Sequence, residues 1–110
     1  MDLTPLISSD RMVIQSYGAD GFKISGQHYS GHVIVFPDHV ENWSGEIGDL
    51  AAYQKDLDVI LYGSGKVLRQ LMPAQKQGLH LDVMDTGAAC RTYNVLMAEG
   101  RRVAAALLKP

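Results

Sequence analysis

The stretch from Asp82 to Leu108 constrains the fold more than any other part of the chain. It reads DVMDTGAACRTYNVLMAEGRRVAAALL and places a strand, a helix and a closing strand in succession without a linker. Thr86 is predicted to cap a helix from about Gly87 to Glu99, and Gly100 is predicted to end it because glycine enters the left-handed conformation at the least cost. The alanine-rich run from Val103 to Leu108 follows this stop and a turn of two arginines, so we predict a strand there.

Two further runs of consecutive apolar residues predict strands that are covered on both faces. Val33 to Phe36 ends at Pro37, and Val59 to Tyr62 ends at a Gly-Ser-Gly turn. Between them, apolar residues recur at helical spacing from Asp49 to Leu57, so we predict a helix that packs one face on the sheet. A strand, a helix and a strand in this order predict a parallel pair.

Weaker signals predict the remaining elements. Met12 to Ser16 and Phe22 to Ser25 read as short strands joined by a turn, and Gln27 to Tyr29 continues after a glycine. Leu79 to Met84 alternates between apolar and polar residues, which is typical of a strand near the edge of a sheet. Together these elements predict an α/β protein made of one domain, residues 1–110.

The composition bounds the function classes. Apolar residues make up 46% of the chain and charged residues 20%, which is typical of globular proteins. The formal net charge of -2 argues against the broad basic field that non-specific nucleic-acid binding needs. Nucleic acid is therefore not an expected partner.

The sequence also predicts a compartment. Cys90 is the only cysteine, which excludes an internal disulfide and suits a reducing environment. The opening segment MDLTPLISSD has neither the basic residues nor the apolar core of a targeting signal. No apolar run approaches the roughly 20 residues that a membrane-spanning helix requires. We therefore expect a cytoplasmic protein without direct membrane insertion.

Several segments together resemble one family. They are MDTGAACRTYNVLMAEGRRVAAALL, YGADGFKISGQHYSGHVIVFP, the later Trp43 and the strand-ending YGSG. The chain resembles the domain-of-unknown-function family that includes the mitochondrial complex I assembly factor three and many uncharacterised bacterial and archaeal members. The resemblance spans roughly Gln15 to Leu108, and MDTGAACRTYN is its most specific part. Because the chain lacks a mitochondrial targeting segment, it is identified as a bacterial member.

This resemblance implies a fold and a task. The fold is a three-layer α/β domain with a mixed central β-sheet, a last strand antiparallel to its neighbours, and helices packed on the sheet. For the mitochondrial member, the task is help in assembling respiratory complex I beside a partner assembly factor, without a known catalytic activity. The stretch between Gly65 and Gly78 is shorter than is usual in the family, which puts in doubt any partner contact made there. The family offers no catalytic residues to carry over.

One crevice holds the best candidates for chemistry. The Gly-Ser-Gly turn should approach the start of the predicted helix, because both lie at the carboxyl ends of neighbouring strands, where open α/β sheets bind ligands. The candidate ligand-binding residues are Gly63, Ser64, Gly65, Asp85, Thr86, Cys90 and Arg91. The alternative is a tight turn beside an ordinary helix cap, which is the commoner arrangement. The sequence Gly-Ser-Gly-Lys also lacks the spacing of a phosphate-binding P-loop.

Two residues of the crevice have specific alternatives. Cys90 lies in the first turn of the helix beside Arg91, and both the helix dipole and the cation lower a thiol pKa. No histidine is placed locally to act as its base, however, so the favoured interpretation is a partly buried structural thiol. Asp85 is either a general base or a helix cap, and capping explains it adequately.

The histidines do not predict a metal site. They are His28, His32, His39 and His80. His28 and His32 lie in an extended segment, where their spacing separates them by roughly 13 Å, too far for one metal ion. We expect neither a metal nor a cofactor.

Three residues are candidates for binding a partner protein. Trp43 is an aromatic anchor for another protein or, more commonly, a residue that closes one end of the core. Arg91 and Asn94 are expected on the exposed part of the predicted helix, where they bind a partner or make hydrogen bonds to neighbouring loops. The sequence favours neither alternative for this pair.

Two functional hypotheses follow. The first is a non-enzymatic protein-binding factor that resembles a complex I assembly factor, with respiratory-complex subunits or another assembly factor as its partners. The second is a small-molecule or anion-binding protein, or a weak enzyme, that uses the crevice at Gly63, Gly65 and Thr86. Because no catalytic set is complete, the sequence favours the first hypothesis.

Overall fold

The computed structural model describes residues 10–110, so most of the opening segment, for which we predict no targeting signal, lies outside the described residues. The strands are β1 (Ile14–Gly18), β2 (Gly21–Ile24), β3 (Gln27–Tyr29), β4 (Val33–Val35), β5 (Val40–Asn42), β6 (Val59–Gly63), β7 (Asp82–Met84) and β8 (Val103–Leu107). The α-helices are α1 (Pro73–Lys76) and α2 (Thr86–Ala98), and two 3₁₀-helices span Ile47–Ala52 and Gln54–Asp56. None of these helices is both long enough and apolar enough to cross a membrane.

The central sheet is mixed and five-stranded, with the strand order β5-β4-β8-β6-β7. β8 pairs antiparallel with β4 and parallel with β6. The mixed sheet that the family resemblance implies is therefore confirmed, and the last strand is antiparallel to one of its two neighbours. β7 lies at the edge of the sheet, as its alternating pattern predicts.

The predicted parallel pair between Val33–Phe36 and Val59–Tyr62 is wrong. β8 lies between β4 and β6, and these two strands run in opposite directions. The expectation of a parallel pair fails because the chain leaves β4 through a hairpin to β5, a strand that was not predicted from the sequence. This hairpin reverses the direction of the chain. The 3₁₀-helices then lead from β5 to β6.

A second sheet is antiparallel, with the strand order β1-β2-β3. Its first turn lies at Ala19 and Asp20, within the predicted turn. Gly21 has a φ of +121°, and a Cβ atom at this position would overlap the Tyr29 carbonyl oxygen. Only glycine therefore allows β2 to begin this close to the end of β3.

The central sheet separates two hydrophobic cores, because successive residues of a strand point to opposite faces. The helix-side core consists of Ile14, Phe22, Ile24, Val33, Val35, Leu61, Ala89, Cys90, Tyr93, Met97, Val103, Ala105 and Leu107. The tryptophan-side core consists of Ile34, Phe36, Trp43, Leu50, Ile60, Tyr62, Leu79, Leu81, Ala104 and Ala106. The small sheet and α2 thus cover one face, and the 3₁₀-helices and the Trp43 loop cover the other.

The segment from Asp49 to Leu57 is helical in a tighter form than the predicted α-helix. Tyr53 N–H donates to the Leu50 carbonyl at 3.1 Å and Asp56 N–H donates to Tyr53 at 3.1 Å, which is the i to i+3 pattern of a 3₁₀-helix. Leu50 is buried in the tryptophan-side core, with Tyr53 and Leu57 packed against it. The apolar face that we predict is therefore confirmed, while the α-helical geometry is wrong.

The helix α2 begins one residue earlier than predicted. Its cap is Asp85, whose carboxylate accepts a hydrogen bond from Ala88 N–H at 3.0 Å, so the prediction that Thr86 caps the helix is wrong. Thr86 is instead the first helical residue, and its hydroxyl bonds outside the helix. At the other end, Gly100 has a φ of +80° and confirms the predicted stop.

Candidate functional site

The Gly-Ser-Gly turn and the start of α2 meet where the sequence places them. Thr86 N–H donates to the Gly65 carbonyl at 2.9 Å, and Gly65 N–H donates to the Thr86 hydroxyl at 2.8 Å. Ser64 N–H donates to the Met84 carbonyl at 2.9 Å, which continues the pairing of β6 with β7 beyond the strand ends. The turn and the helix start are therefore joined directly by hydrogen bonds.

These contacts leave no space for a ligand between Gly63 and Thr86. Thr86 is completely buried, and its hydroxyl donates to the Leu108 carbonyl at 2.7 Å. A Cβ atom on Gly63 would lie 2.9 Å from a methyl carbon of Leu107 and 3.0 Å from the Thr86 Cα. At this point the geometry favours the tight turn, and Gly63 is needed for close packing.

The remaining acidic and thiol candidates also serve the fold. Asp85 uses a carboxylate oxygen to cap α2. Cys90 is completely buried in the helix-side core. Because α2 begins at Thr86, Cys90 lies in the second turn, so its predicted place in the first turn is wrong. Burial raises the pKa of its thiol from the ordinary value of 9.0 to about 12, and the lowering by the neighbouring Arg91 cation is the smaller effect. The possibility of a low-pKa thiol is contradicted, and the favoured structural interpretation of Cys90 agrees with its burial.

Asn94 does not lie on the exposed part of α2, so that expectation is wrong. Only 5% of Asn94 is exposed. Its Oδ1 accepts a hydrogen bond from Ile14 N–H at 3.0 Å, and its Nδ2 donates to the Ile14 carbonyl at 2.8 Å. Asn94 therefore ties α2 to β1 and is unavailable to a partner protein. Arg91 is exposed as expected, and its guanidinium lies 3.5 Å from the Tyr17 hydroxyl.

Trp43 is 6% exposed and belongs to the tryptophan-side core. Its indole N–H donates to the Glu46 carbonyl at 3.0 Å. Its ring packs edge-on against Tyr62 at 6.1 Å and against His32 at 6.5 Å between centroids. This position agrees with the interpretation that Trp43 closes the core, and it leaves little of the side chain for a partner.

A cavity of about 500 Å³ opens on the other side of the Gly-Ser-Gly turn. We call it the basic cavity, because its charged lining residues in the described part of the chain are Lys66, Arg69 and Lys109. Ser64 and Gly65, two of the predicted ligand-binding residues, also line it. The volume falls within the range of roughly 300–1,000 Å³ that is typical of ligand pockets.

The basic cavity is not predicted from the sequence, because it depends on the pairing of distant strands. β6 and β8 are parallel, so their carboxyl ends lie at the same edge of the sheet. Lys66 follows β6 and Lys109 follows β8, which brings the two cations to one cavity. The sequence does show a lysine shortly after each of the two apolar runs that form β6 and β8. This pattern predicts a shared site only if the two strands are known to be parallel neighbours.

A second group of titratable side chains lies at the β4–β5 hairpin. His39 Nδ1 is 2.7 Å from an Asp38 carboxylate oxygen, and His39 Nε2 is 2.9 Å from a Glu41 oxygen. The other Glu41 oxygen accepts a hydrogen bond from the Tyr53 hydroxyl at 2.6 Å. Both ring nitrogens of His39 are thus occupied, which suits a structural clamp.

Within residues 10–110, no three His, Cys, Asp or Glu side chains are placed to share a metal ion.

The fold has been seen in solved structures. The crystal structure of a protein from Bordetella parapertussis is similar to this chain with a TM-score of 0.77 and 31% sequence identity. The match covers 91% of this chain and 97% of that protein. The α/β arrangement with a mixed central sheet is therefore shared over nearly the whole length of both.

The sequence comparisons show the family. A family model described as "Protein of unknown function (DUF498/DUF598)" matches residues 14–108, and the chain belongs to this family. An uncharacterised protein from Rhodobacter capsulatus is 33% identical over 102 residues, which cover 86% of this chain and 82% of that protein. NADH dehydrogenase (ubiquinone) 1 alpha subcomplex assembly factor 3 from Xenopus tropicalis is 30% identical over 117 residues. That match covers 94% of this chain but 64% of the assembly factor.

Proposed function

We propose that this protein is a non-enzymatic, protein-binding factor that supports the assembly of respiratory complex I, the NADH dehydrogenase, in a bacterium. The observation that carries the proposal is the 30% identity to the Xenopus assembly factor over 94% of this chain. A shared fold alone would not carry it, because one fold serves many functions. Sequence identity over almost the whole chain is the stronger link.

The geometry of the crevice supports binding over catalysis. Asp85 caps α2, the Thr86 hydroxyl is shared between two hydrogen bonds, and Cys90 is buried as a neutral thiol. An activated nucleophile needs a base within hydrogen-bond reach and a lowered pKa, and Cys90 has the opposite shift. Asp85, Thr86 and Cys90 therefore have structural roles in capping, hydrogen bonding and core packing.

The partner and compartment are part of the same proposal. We propose a complex I subunit or a second assembly factor as the partner, and the cytoplasm as the compartment, without direct membrane insertion. Neither nucleic acid nor a cofactor has a role in this proposal. The chain spans 64% of the length of the Xenopus protein. The partners of that whole protein are therefore proposed for this chain, and the two experiments below test them.

Deletion of the gene in its own host tests the assembly role. The expected result is a loss of assembled complex I on native gels and of NADH-driven respiration in isolated membranes, with both restored by a wild-type copy. A Cys90→Ala copy should restore them equally well, because the buried thiol has no chemical role. An unchanged amount of complex I in the deletion strain would overturn the proposal.

Cross-linking tests the binding role independently. The tagged chain is expressed at its native level, cross-linked gently and purified, and co-purifying proteins are identified by mass spectrometry against a strain that carries the tag alone. The expected result is enrichment of complex I subunits or of one consistent assembly protein. Recovery of neither, from a chain that is folded and present at the native level, would contradict the proposal.

A further inference from the structure

The basic cavity is lined by three cations that form no ion pair with the described residues. Lys66, Arg69 and Lys109 line it, and no Asp or Glu of the described residues does. The ion pairs found among residues 10–110 lie elsewhere, at His39 and at Arg102. Because the whole chain carries a formal charge of -2, the cavity is a local concentration of positive charge on an acidic protein.

Exposed apolar side chains lie on the chain segment that lines the same cavity. Val67, Leu68 and Met72 are 62%, 51% and 67% exposed, and we call them the apolar rim. In the described part of the chain, the other large apolar side chain exposed to this degree is Val95 on α2. Val67 and Leu71, which lie in the same loop, line the cavity itself. Clustered exposed apolar side chains of this kind mark interaction sites on soluble proteins.

Hydrogen bonds hold the loop that carries these side chains. Ser64 is 6% exposed, and its hydroxyl donates to the Val67 carbonyl at 2.8 Å and accepts from Arg69 N–H at 3.0 Å. The bonds between Gly65 and Thr86 fix the start of the loop to α2. Since this backbone is already ordered, binding a partner here requires little further loss of conformational entropy.

We propose that the basic cavity and the apolar rim together receive a segment of a partner protein in which carboxylates alternate with apolar side chains. This inference rests on the proposed function and adds the chemistry of the partner. The carboxylates would lie against Lys66, Arg69 and Lys109, and the apolar side chains would cover Val67 and Leu68. The partner is thus recognised by charge at the cavity and by apolar burial at its border.

Two other occupants fit the observations less well. A small anion such as phosphate would satisfy the cations but leave the apolar rim in water. An anionic membrane meets a protein along a broad surface, whereas here the cations line a concavity of about 500 Å³. An extended segment of mixed chemistry enters the cavity and also covers the rim.

A designed peptide tests the proposal on the full chain. The probe is a short fluorescein-labelled peptide of alternating Asp and Leu, and the control peptides alternate Asp with Ser and Lys with Leu. We expect the Asp/Leu peptide to bind at least about tenfold more tightly than either control, with an affinity that falls as salt is raised. Anisotropy measures binding, and Trp43 emission reports its location because Trp43 contacts His32 and Tyr62, which line the cavity.

Charge reversal identifies the surface. The double variant Lys66→Glu and Arg69→Glu should weaken the Asp/Leu peptide at least about tenfold and strengthen the Lys/Leu peptide. The matched control is Lys23→Glu, an exposed cation on β2 that does not line the basic cavity, and it should change neither affinity. All of these positions are exposed, so the variants should keep the thermal midpoint and circular dichroism of the wild type.

Three outcomes would overturn the inference. Equal binding of the Asp/Leu peptide to the double variant would place it elsewhere on the protein. Binding of inorganic phosphate, measured by calorimetry, without binding of the peptide would make the cavity a small-anion site. Binding to vesicles of phosphatidylglycerol, but not to the peptide, would make it a membrane contact.

The native cross-linking experiment separates this inference from the proposed function. If wild type and the Lys66→Glu, Arg69→Glu variant recover the same complex I partner equally, the proposed function stands and the inference fails. If the peptide binds the cavity but no complex I partner is recovered, the binding chemistry stands and the proposed function fails. If only the wild type recovers the partner, both are supported.

Discussion

At the scale of single residues, Cys90 combines an adjacent cation with complete burial. The Arg91 guanidinium favours a thiolate, yet the cost of placing a charge among apolar side chains is larger, and the Asp85 carboxylate opposes the thiolate as well. The thiol pKa therefore rises to about 12, and the neutral form persists at physiological pH. A thiol beside a cation is thus kept neutral by its burial in the folded protein.

We predict that Cys90 does not react with Ellman's reagent at neutral pH while the protein is folded. Both its burial and its raised pKa oppose attack, because the thiolate is the nucleophile. The same chain in guanidinium should react fully. As a matched control, the variant Cys90→Ala, Val95→Cys carries its one thiol at a position where the native side chain is 58% exposed, and it should react without denaturant. Rapid labelling of native Cys90 would contradict the buried position.

Asn94 carries the clearest single-residue prediction for stability. Asn94→Ala leaves the buried Ile14 N–H and carbonyl without partners, so the free energy of unfolding should fall by about 2–4 kcal/mol in urea denaturation. The exposed Asn42 on β5 offers a matched control, and Asn42→Ala should change this free energy by less than about 0.5 kcal/mol. Similar effects of the two substitutions would show that Asn94 does not tie α2 to β1.

At the scale of elements, the β4–β5 hairpin is closed by a charged clamp. His39 stacks on Phe36 with ring centroids 4.4 Å apart, and its two nitrogens face Asp38 and Glu41. The Asp38 hydrogen bond is the main cause that raises the pKa of His39 above its ordinary value of 6.5, with Glu41 adding to it. The Tyr53 hydroxyl and His39 together lower the pKa of Glu41. Tyr53 thereby connects the hairpin to the 3₁₀-helices.

We predict that this clamp weakens as the pH rises. Because the pKa of His39 is higher in the folded protein, its contribution to stability is fully present below about 6.5 and is lost as the pH rises through the raised value. The contribution is small, since the His39 side chain is 47% exposed. An NMR titration of the His39 ring checks the pKa directly. Asp38→Asn should lower it, whereas Asp82→Asn at the opposite sheet edge should leave it unchanged.

At the scale of the whole molecule, β8 joins the two cores. Val103, Ala105 and Leu107 face the helix-side core, while Ala104 and Ala106 face the tryptophan-side core. All five residues are at most 1% exposed, so the strand is covered on both faces. Neither core can lose its packing without exposing β8, which couples the two in unfolding.

We therefore predict one unfolding transition. Trp43 fluorescence reports the tryptophan-side core and far-UV circular dichroism reports α2, and their midpoints in urea should coincide. Ala105→Gly and Ala106→Gly weaken opposite faces of β8, and each should lower both midpoints together by an amount that corresponds to about 1 kcal/mol. Separate midpoints for the two probes would show that the cores unfold independently.

The local elements and the family can be predicted from the amino-acid sequence. The strands at Val59–Tyr62 and Val103–Leu108, the stop at Gly100 and the turn before Gly21 follow from apolar runs and glycine conformations, which neighbouring residues specify. Family membership also follows from the chain alone, because MDTGAACRTYN is a specific match. The elements depend on interactions between residues that are close in sequence, and the family depends on a match of residue types.

Strand order, residue exposure and the position of the basic cavity depend on long-range packing. The same apolar run pairs in either direction, so the antiparallel pairing of β4 with β8 depends on how the intervening chain packs. Asn94 lies on a helix face that β1 covers, and periodicity along α2 does not show that distant strand. The basic cavity likewise exists because parallel pairing brings Lys66 and Lys109 to one sheet edge, although they are far apart in sequence. Long-range packing, which balances burial across both faces of the sheet, selected these arrangements among those that local sequence permits.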